Sequence, residues 1–299
     1  CYLMSEKTFV LTFVLKEADK NNYQKTTEII KSFLLSLDLK IKKLSVLKKN
    51  KASDFYFNDK LSNFKLKNLK KRFNKIAIDF CLQDSVSRKK RVLITDMDGT
   101  IIENETLNDI AKFLGKGEQV KKITDLGLKG RLDFSTSLEN RVHLLKGLRL
   151  SSLEEAKRII SFMKGAKKLF QELKKNKIHT ILVSGGFKPI TSYVRDYLNI
   201  DQEYSNTFGV IGDQFNGKTV GPIVNANYKE KIVKKISKEL NINKEQIIGM
   251  GDAANDMNML LSVGLPIAFK AQDIVKANFE NQINNTDLTS LLYFMGIKN

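Results

Sequence analysis

The sequence predicts an α/β protein: a Rossmann-type parallel sheet with a helical cap insertion, preceded by a small α+β unit of order βαββαβ. Three observations lead there. Extended apolar runs and helix-period stretches alternate up to Leu82, short β-rich runs alternate with longer helices beyond Arg91, and three of those later runs end on chemically useful polar residues.

Taken in order, Thr8 to Leu15 is an extended apolar run and Tyr23 to Leu37 has helical periodicity. Ile41 to Leu47 and Asp54 to Phe57 read as strands, a Lys-rich helix follows from Leu61 to Asn74, and Ile76 to Leu82 closes the set. Such a unit places both helices on one face of its sheet. Gln83 to Arg91, with its serines and the Arg88-Lys89-Lys90-Arg91 cluster, reads as an exposed linker. The expected division is therefore residues 1–88 for the first domain and its linker, and 89–299 for the second.

In the second domain Val92 to Thr95 ends at Asp96, Thr180 to Val183 ends at Ser184, and Ile247 to Met250 ends at Gly251 and Asp252. Ligands of open α/β sheets bind beyond the carboxyl ends of the strands, so these groups are expected to converge. A helical insertion spans about residues 105–162 and covers the site. Phe208 to Val224 reads as a β-hairpin with its tight turn at Asn216-Gly217.

The chain has 299 residues, 42% hydrophobic and 28% charged, which excludes collagen-like, low-complexity and wholly disordered classes. Lys and Arg number 51 against 33 Asp and Glu, a net charge of +18. The excess is uneven: Cys1 to Arg91 holds 22 basic and 9 acidic residues, or +13, and the remainder 29 and 24, or +5. That raises the question of an anionic partner. With only Cys1 and Cys81, a disulfide-stapled scaffold is excluded and a reducing compartment, the cytoplasm, is expected. The apolar run ending at Leu15 falls well short of the roughly 20 residues that span a bilayer, so neither a signal peptide nor a membrane helix is expected. The leading Cys is better explained by an unusual or trimmed start than by a lipidated terminus.

Asp96-Met97-Asp98-Gly99-Thr100 sets two carboxylates one residue apart in an extended segment, a hard oxygen site suited to Mg²⁺; taken alone, a solvated turn explains it better, and the apolar strand before it and the second acidic motif shift that balance. Gly251-Asp252-Ala253-Ala254-Asn255-Asp256 again follows an apolar strand, and its carboxylates can complete a divalent-ion site or simply favour the start of a helix at Met257 to Leu261. Ser184-Gly185-Gly186, before a helix beginning near Pro189, offers a hydroxyl and open backbone N–H groups to a phosphate oxygen, or is a plain strand-to-helix turn. By position alone, Lys229 is a surface lysine.

The order of these pieces, D-x-D-G-T, then S-G-G, an isolated Lys and G-D-x-x-N-D, resembles the haloacid dehalogenase-like (HAD) phosphatases, most closely their phosphoserine phosphatase family, from about Val92 to the C-terminus. Glu105 matches that family's substrate-contacting glutamate, and Gly130 to Val142 matches its G-x-L-x-F-x-x-S-L-x-x-R-V, with Phe134 and Arg141 at the substrate positions. Ser184 to Phe187 and Tyr228-Lys229 align as well. The chain departs from the family where Gly99 replaces the usual Ser and Ala253 the usual Gly. The first unit is similar in element order to the ACT-like domain that some members carry.

The resemblance implies Asp96 as nucleophile, Asp98 as general acid and base, and Mg²⁺ held by Asp96, Asp252 and the backbone carbonyl of Asp98. It implies Lys229, Ser184, Gly185 and Gly186 on the phosphoryl group, Asn255 among the substrate-binding residues, and Asn255 and Asp256 orienting Lys229, the metal waters or the loop. Arg141 would grip the substrate α-carboxylate, Glu105 the α-ammonium, and Phe134 would wall the site; without the resemblance, Glu105 and Arg141 read as a surface ion pair of the cap. The expected substrate is a small phosphoamino acid, O-phospho-L-serine, and the expected activity the last step of L-serine biosynthesis. Two alternatives stand beside it: a phosphatase for another small phosphomonoester, such as phosphohomoserine or a sugar phosphate, and an RNA-binding or regulatory protein acting through its basic first domain. The RNA-binding alternative lacks the K/R-G-F/Y-G/A-F-V-x-F/Y signature, so a nucleic-acid partner is disfavoured. No membrane partner is expected, and amino-acid sensing or homodimerisation by the first domain is left open.

Overall fold

The computed structural model describes residues 8–73, 75–129 and 131–298. Cys1, Asn74 at the end of the expected second helix and Gly130 at the head of the cap motif lie outside the described residues. The chain divides into two compact units, Cys1–Lys90 with Glu280–Asn299, and Arg91–Phe279.

The first unit is β1 (Thr8–Leu15), α1 (Lys20–Leu35), β2 (Ile41–Lys48), β3 (Ala52–Asn58), α2 (Asn63–Lys71) and β4 (Ile78–Asp84). Its sheet runs in the order β2-β3-β1-β4, with all pairs antiparallel. Both helices start on capping side chains: Asp19 accepts the Asn22 N–H at 2.6 Å and Ser62 the Lys65 N–H at 3.3 Å. Alternate residues of β1, from Phe9 through Leu11 and Phe13 to Leu15, join Phe55 and Phe57 of β3 against Ile30, Phe33 and Leu34 of α1 and Leu66 and Leu69 of α2. Period-2 strand faces and period-3.6 helix faces thereby build one apolar layer.

Two expectations change here. The segment 83–91 does not form an exposed linker, because Arg88 is 7% exposed and Lys90 4%. Asp54, buried on β3, calls for a counter-charge, and Arg88 supplies a fork: Nη1 reaches Asp54 Oδ2 at 2.6 Å and Nη2 reaches Oδ1 at 2.8 Å. Arg88 also donates to the carbonyls of Tyr293 and Phe294, and Gln83 Nε2 donates to Phe294 at 2.7 Å. The tail beyond Glu280 therefore packs with the first unit, whereas the expected division ran the second domain to residue 299. Among the described residues, no helix is long and apolar enough to cross a membrane.

The second unit opens with β5 (Val92–Thr95), passes through α3 (Thr106–Lys112), α4 (Gly117–Leu128), α5 (Phe134–Leu144) and α6 (Ser152–Arg158), and returns by α7 (Ala166–Lys175) to β6 (His179–Phe187). It continues with α8 (Ile190–Leu198), β7 (Gln202–Ile211), β8 (Gln214–Val220), α9 (Ala226–Glu239), β9 (Ile247–Gly251), α10 (Met257–Leu261), β10 (Leu265–Phe269) and α11 (Asp273–Asn278). Its strands lie in the order β10-β9-β5-β6-β7-β8, parallel except for the β7–β8 hairpin. This is the Rossmann-type α/β fold, and β5, the first strand of this unit, sits between β6 and β9, where strand order reverses and ligands bind in such sheets. Val92 and Ile94 of β5, Ile181 and Val183 of β6 and Ile247 of β9 share a core with Ile232, Val233 and Ile236 of α9, and the alternate residues Leu93, Leu182 and Ile248 are buried too, so the strands read as apolar runs rather than alternations.

The hairpin is present, but its turn is not at Asn216-Gly217. Ile211 pairs with Gln214, so Gly212-Asp213 makes the turn, with Gly212 at φ +62°. A two-residue turn needs positive φ, which Gly212 provides at the tip, while Asn216 and Gly217 lie within β8.

Candidate active site

Each sequence-singled run delivers its polar end to one place. Asp96 follows β5 and its N–H donates to the Met250 carbonyl of β9 at 2.9 Å. Ser184 and Gly186 lie where β6 leaves the ladder, and Asp252 follows β9. Lys229 comes from the first turn of α9, a helix capped by Asn225, which accepts the Tyr228 N–H at 3.0 Å.

Lys229 is not a surface lysine. It is fully buried, with Nζ 2.6 Å from Asp96 Oδ1 and 2.6 Å from Asp256 Oδ1. Burial alone would lower the ammonium's pKa, but these two carboxylates outweigh it and the pKa rises. Asp256 spends its other oxygen on the N–H groups of Asp252 and Ala253, at 3.0 and 3.1 Å. Asp256 thereby closes the turn before α10 and anchors Lys229.

Carboxylate oxygens of Asp96, Asp252 and Asp256 lie within 4.8 Å of one another. Because Asp256 has both oxygens committed to nitrogen donors, Asp96 and Asp252 are the pair that fits a cation. Asp252 accepts the Thr100 hydroxyl on Oδ1 at 2.7 Å, which steers its carboxylate. Gly99, at φ +70°, permits this approach, because a Cβ there would stand 2.8 Å from Asp252 Oδ2. Burial, then repulsion from Asp256 and Asp96, raises the Asp252 pKa well above the ordinary range. Asp96 is pushed up to about 7, by burial against the pull of Lys229. Hard oxygen donors crowded together this way suit a divalent cation such as Mg²⁺, whose charge would relieve the repulsion.

Asp98 points toward the cap side of the cleft, where Thr106 holds it with its N–H on Oδ1 at 3.0 Å and its hydroxyl on Oδ2 at 3.2 Å. Burial lifts its pKa to about 6 against those hydrogen bonds. The cavity is lined by Asp96 and Asp98 from the core, Glu105, Phe134 and Arg141 from the cap, and Gly185, Gly186, Ala253 and Asn255 from the loops.

Arg141 is buried rather than on the surface. It donates from Nε to the Ser137 carbonyl at 3.2 Å and from Nη1 to Thr124 Oγ1 at 3.3 Å, not to Glu105, and lies over the Phe134 ring with Cζ 5.9 Å from its centroid. Glu105 begins α3 without using its carboxylate as a cap; burial, and then the Asp98 charge, push it up to about 8 while Arg141 pulls the other way. A carboxyl and a guanidinium thus both face the cavity, and an ammonium group beside Glu105 would offset the burial and repulsion that raise it.

Sequence reasoning passed over Thr100, Thr106, Thr124 and Asn206. Thr100 closes D-x-D-G-T, where it carries no assigned role, and Thr106 follows Glu105, which is a usable signal. Asn206 is 2% exposed and donates to the Gly185 carbonyl at 2.9 Å, from a strand that carries no motif.

Residues 90–264 match the family model described as haloacid dehalogenase-like hydrolase. The chain is 35% identical over 210 residues to the phosphoserine phosphatase of Methanocaldococcus jannaschii, covering 70% of this chain and 100% of that protein. It is 33% identical over 227 residues to the phosphoserine phosphatase of Archaeoglobus fulgidus, covering 75% of this chain and 66% of that one. A solved phospho-aspartyl intermediate analogue of phosphoserine phosphatase superposes with a TM-score of 0.66 at 36% identity, covering 69% of this chain and 99% of that one.

Proposed function

The chain belongs to the haloacid dehalogenase-like hydrolases and is a phosphoric monoester hydrolase; from that premise we propose that it hydrolyses O-phospho-L-serine to L-serine and phosphate, with Mg²⁺ at Asp96, Asp252 and the Asp98 carbonyl. The bound ion supplies positive charge that offsets repulsion between a carboxylate nucleophile and an anionic ester.

In the first half-reaction an Asp96 carboxylate oxygen attacks phosphorus and the bond from phosphorus to the serine oxygen breaks, leaving a phosphate on Asp96. Asp98 gives its proton to the departing oxygen; a carboxyl raised to about 6 holds a proton near neutrality more readily than an ordinary aspartate. In the second half Asp98 takes a proton from water, the water oxygen attacks phosphorus, and the Asp96–phosphorus linkage breaks. Lys229, Ser184 and Asn255, with the N–H groups of Gly185 and Gly186, carry the charge on the phosphoryl oxygens. Arg141 takes the α-carboxylate and Glu105 the α-ammonium, with Phe134 excluding water.

One observation carries this reading: a buried Lys229 clamped by Asp96 and Asp256 sits behind a cavity whose outer wall holds Glu105 and Arg141. Phosphate release from a panel of phosphomonoesters, with and without EDTA, tests it. Turnover of O-phospho-L-serine that EDTA stops and Asp98→Asn abolishes is the expected result. Inert phosphoserine beside turned-over sugar phosphates would reject the substrate.

A further inference from the structure

The loop Ser184-Gly185-Gly186 cannot be fastened by side chains at its glycines. A Cβ at Gly185 would stand 2.5 Å from Phe134 Cζ, and one at Gly186 2.9 Å from Met97 Cε. Nor does the sheet hold it. β6 pairs with β7 at Val183 to Tyr204 and again at Phe187 to Asn206, so three residues of β6 stand opposite Ser205 alone and the ladder is interrupted there.

Asn206 restores what the ladder loses. Its Nδ2 donates to the Gly185 carbonyl at 2.9 Å, its Oδ1 accepts the Val224 N–H at 2.9 Å, and its own carbonyl accepts the Lys188 N–H at 3.1 Å. Val224 directly precedes Asn225, the cap of the helix that carries Lys229.

A trans peptide sets its C=O and N–H on opposite sides. With the Gly185 carbonyl turned to Asn206, the Gly186 N–H faces the other way, where it donates to Ser184 Oγ at 2.8 Å. A peptide between two glycines meets little steric resistance to flipping, and the flipped form would present a carbonyl oxygen to an anion. We propose that Asn206 is a positioning residue for phosphoryl binding: its amide locks the Gly185–Gly186 peptide with the N–H on Ser184 Oγ, the hydroxyl assigned above to the phosphoryl group, and ties that peptide to the start of the Lys229 helix. This rests on the phosphoryl-site reading given above. Asn206 touches neither metal nor substrate, and acts through backbone groups that do.

The test is calorimetric binding of inorganic phosphate to the full chain in Mg²⁺. Asn206→Leu is nearly isosteric and adds no charge. Thr191→Val is the control, because it breaks the 2.8 Å bond from Thr191 to Ser205 of β7 without touching the loop. Asn206→Leu is expected to weaken phosphate affinity about tenfold or more, the scale of one hydrogen bond to a charged group. Thr191→Val is expected to stay within about twofold of wild type at a comparable loss of melting temperature, which separates positioning from general destabilisation. If Asn206→Leu does not fold, Asn206→Ala carries the same expectation. Phosphate affinity unchanged in the Asn206 variants, or lost equally in Thr191→Val, would overturn the proposal. A wild-type chain that binds phosphate yet leaves O-phospho-L-serine intact would reject the substrate reading instead, and the affinity ratio would still decide the role of Asn206.

Discussion

Replacing Lys229 by Met removes a charge held from two sides while keeping most of the apolar stem. Nζ lies 2.6 Å from both Asp96 Oδ1 and Asp256 Oδ1, at zero exposure. At an effective dielectric constant of about 20, one such contact corresponds to an attraction of about 6 kcal/mol, and desolvation of each ion takes back several. Stranding the carboxylates should therefore cost about 3–5 kcal/mol of folding stability. The variant should also be pH-sensitive with a definite sign. Asp96 already titrates near 7 with Lys229 beside it, and without that ammonium it must rise further. A carboxyl whose folded pKa is raised stabilises the fold below its unfolded pKa, about 4, and loses that contribution as pH rises through the folded value. Denaturant unfolding of wild type and Lys229→Met in EDTA, at pH 5 and pH 8, measures both effects. The variant is expected to be the less stable at each pH and to lose more than wild type between them. A midpoint within experimental error of wild type at pH 8 would refute the buried clamp.

Gly185→Ala places a Cβ 2.5 Å from Phe134 Cζ and must displace that ring. Overpacking of about 1–3 kcal/mol should appear as a rise in KM for O-phospho-L-serine in steady-state kinetics. Asp54→Ala leaves the buried Arg88 guanidinium without its carboxylate, and chemical denaturation should show a loss of about 3–5 kcal/mol. Cys81 is fully buried and its thiol is pushed up to about 12 by burial, so peptide mapping should find it unlabelled by thiol reagents at pH 8 in the folded chain. Since its folded pKa lies above the ordinary 9.0, the stabilisation from this thiol is complete below that pH and is lost as pH rises toward 12. Cys81→Ala should flatten the alkaline arm of the stability curve.

Strand β5 is legible in the sequence because Val92 to Thr95 is buried on both faces, and a short apolar run ending in D-x-D leaves few other readings. Lys229 is not legible from its position, since an exposed and a buried lysine look alike until the carboxylates that neutralise it are brought together by three distant segments. Arg88 misleads for the same reason: within a run of four basic residues it resembles a linker, and only the fold reveals that Asp54, on another strand, claims it. The hairpin is visible as extended runs around turn residues, but two glycine-containing dipeptides compete for the turn, and strand register decides for Gly212-Asp213. Asn206 carries no local signal, because its role comes from facing an interruption in the neighbouring strand. What escapes the sequence in each case is a partner supplied by tertiary pairing.

The phosphoryl group that the proposed mechanism places on Asp96 can be tested for directly. The Mg²⁺-loaded chain, mixed with excess O-phospho-L-serine, quenched in acid within the first turnovers and reduced with borohydride, should yield homoserine in place of Asp96 when the peptide spanning β5 is mapped. Phosphate release at full rate with Asp96 unmodified, or homoserine at another carboxylate, would contradict it.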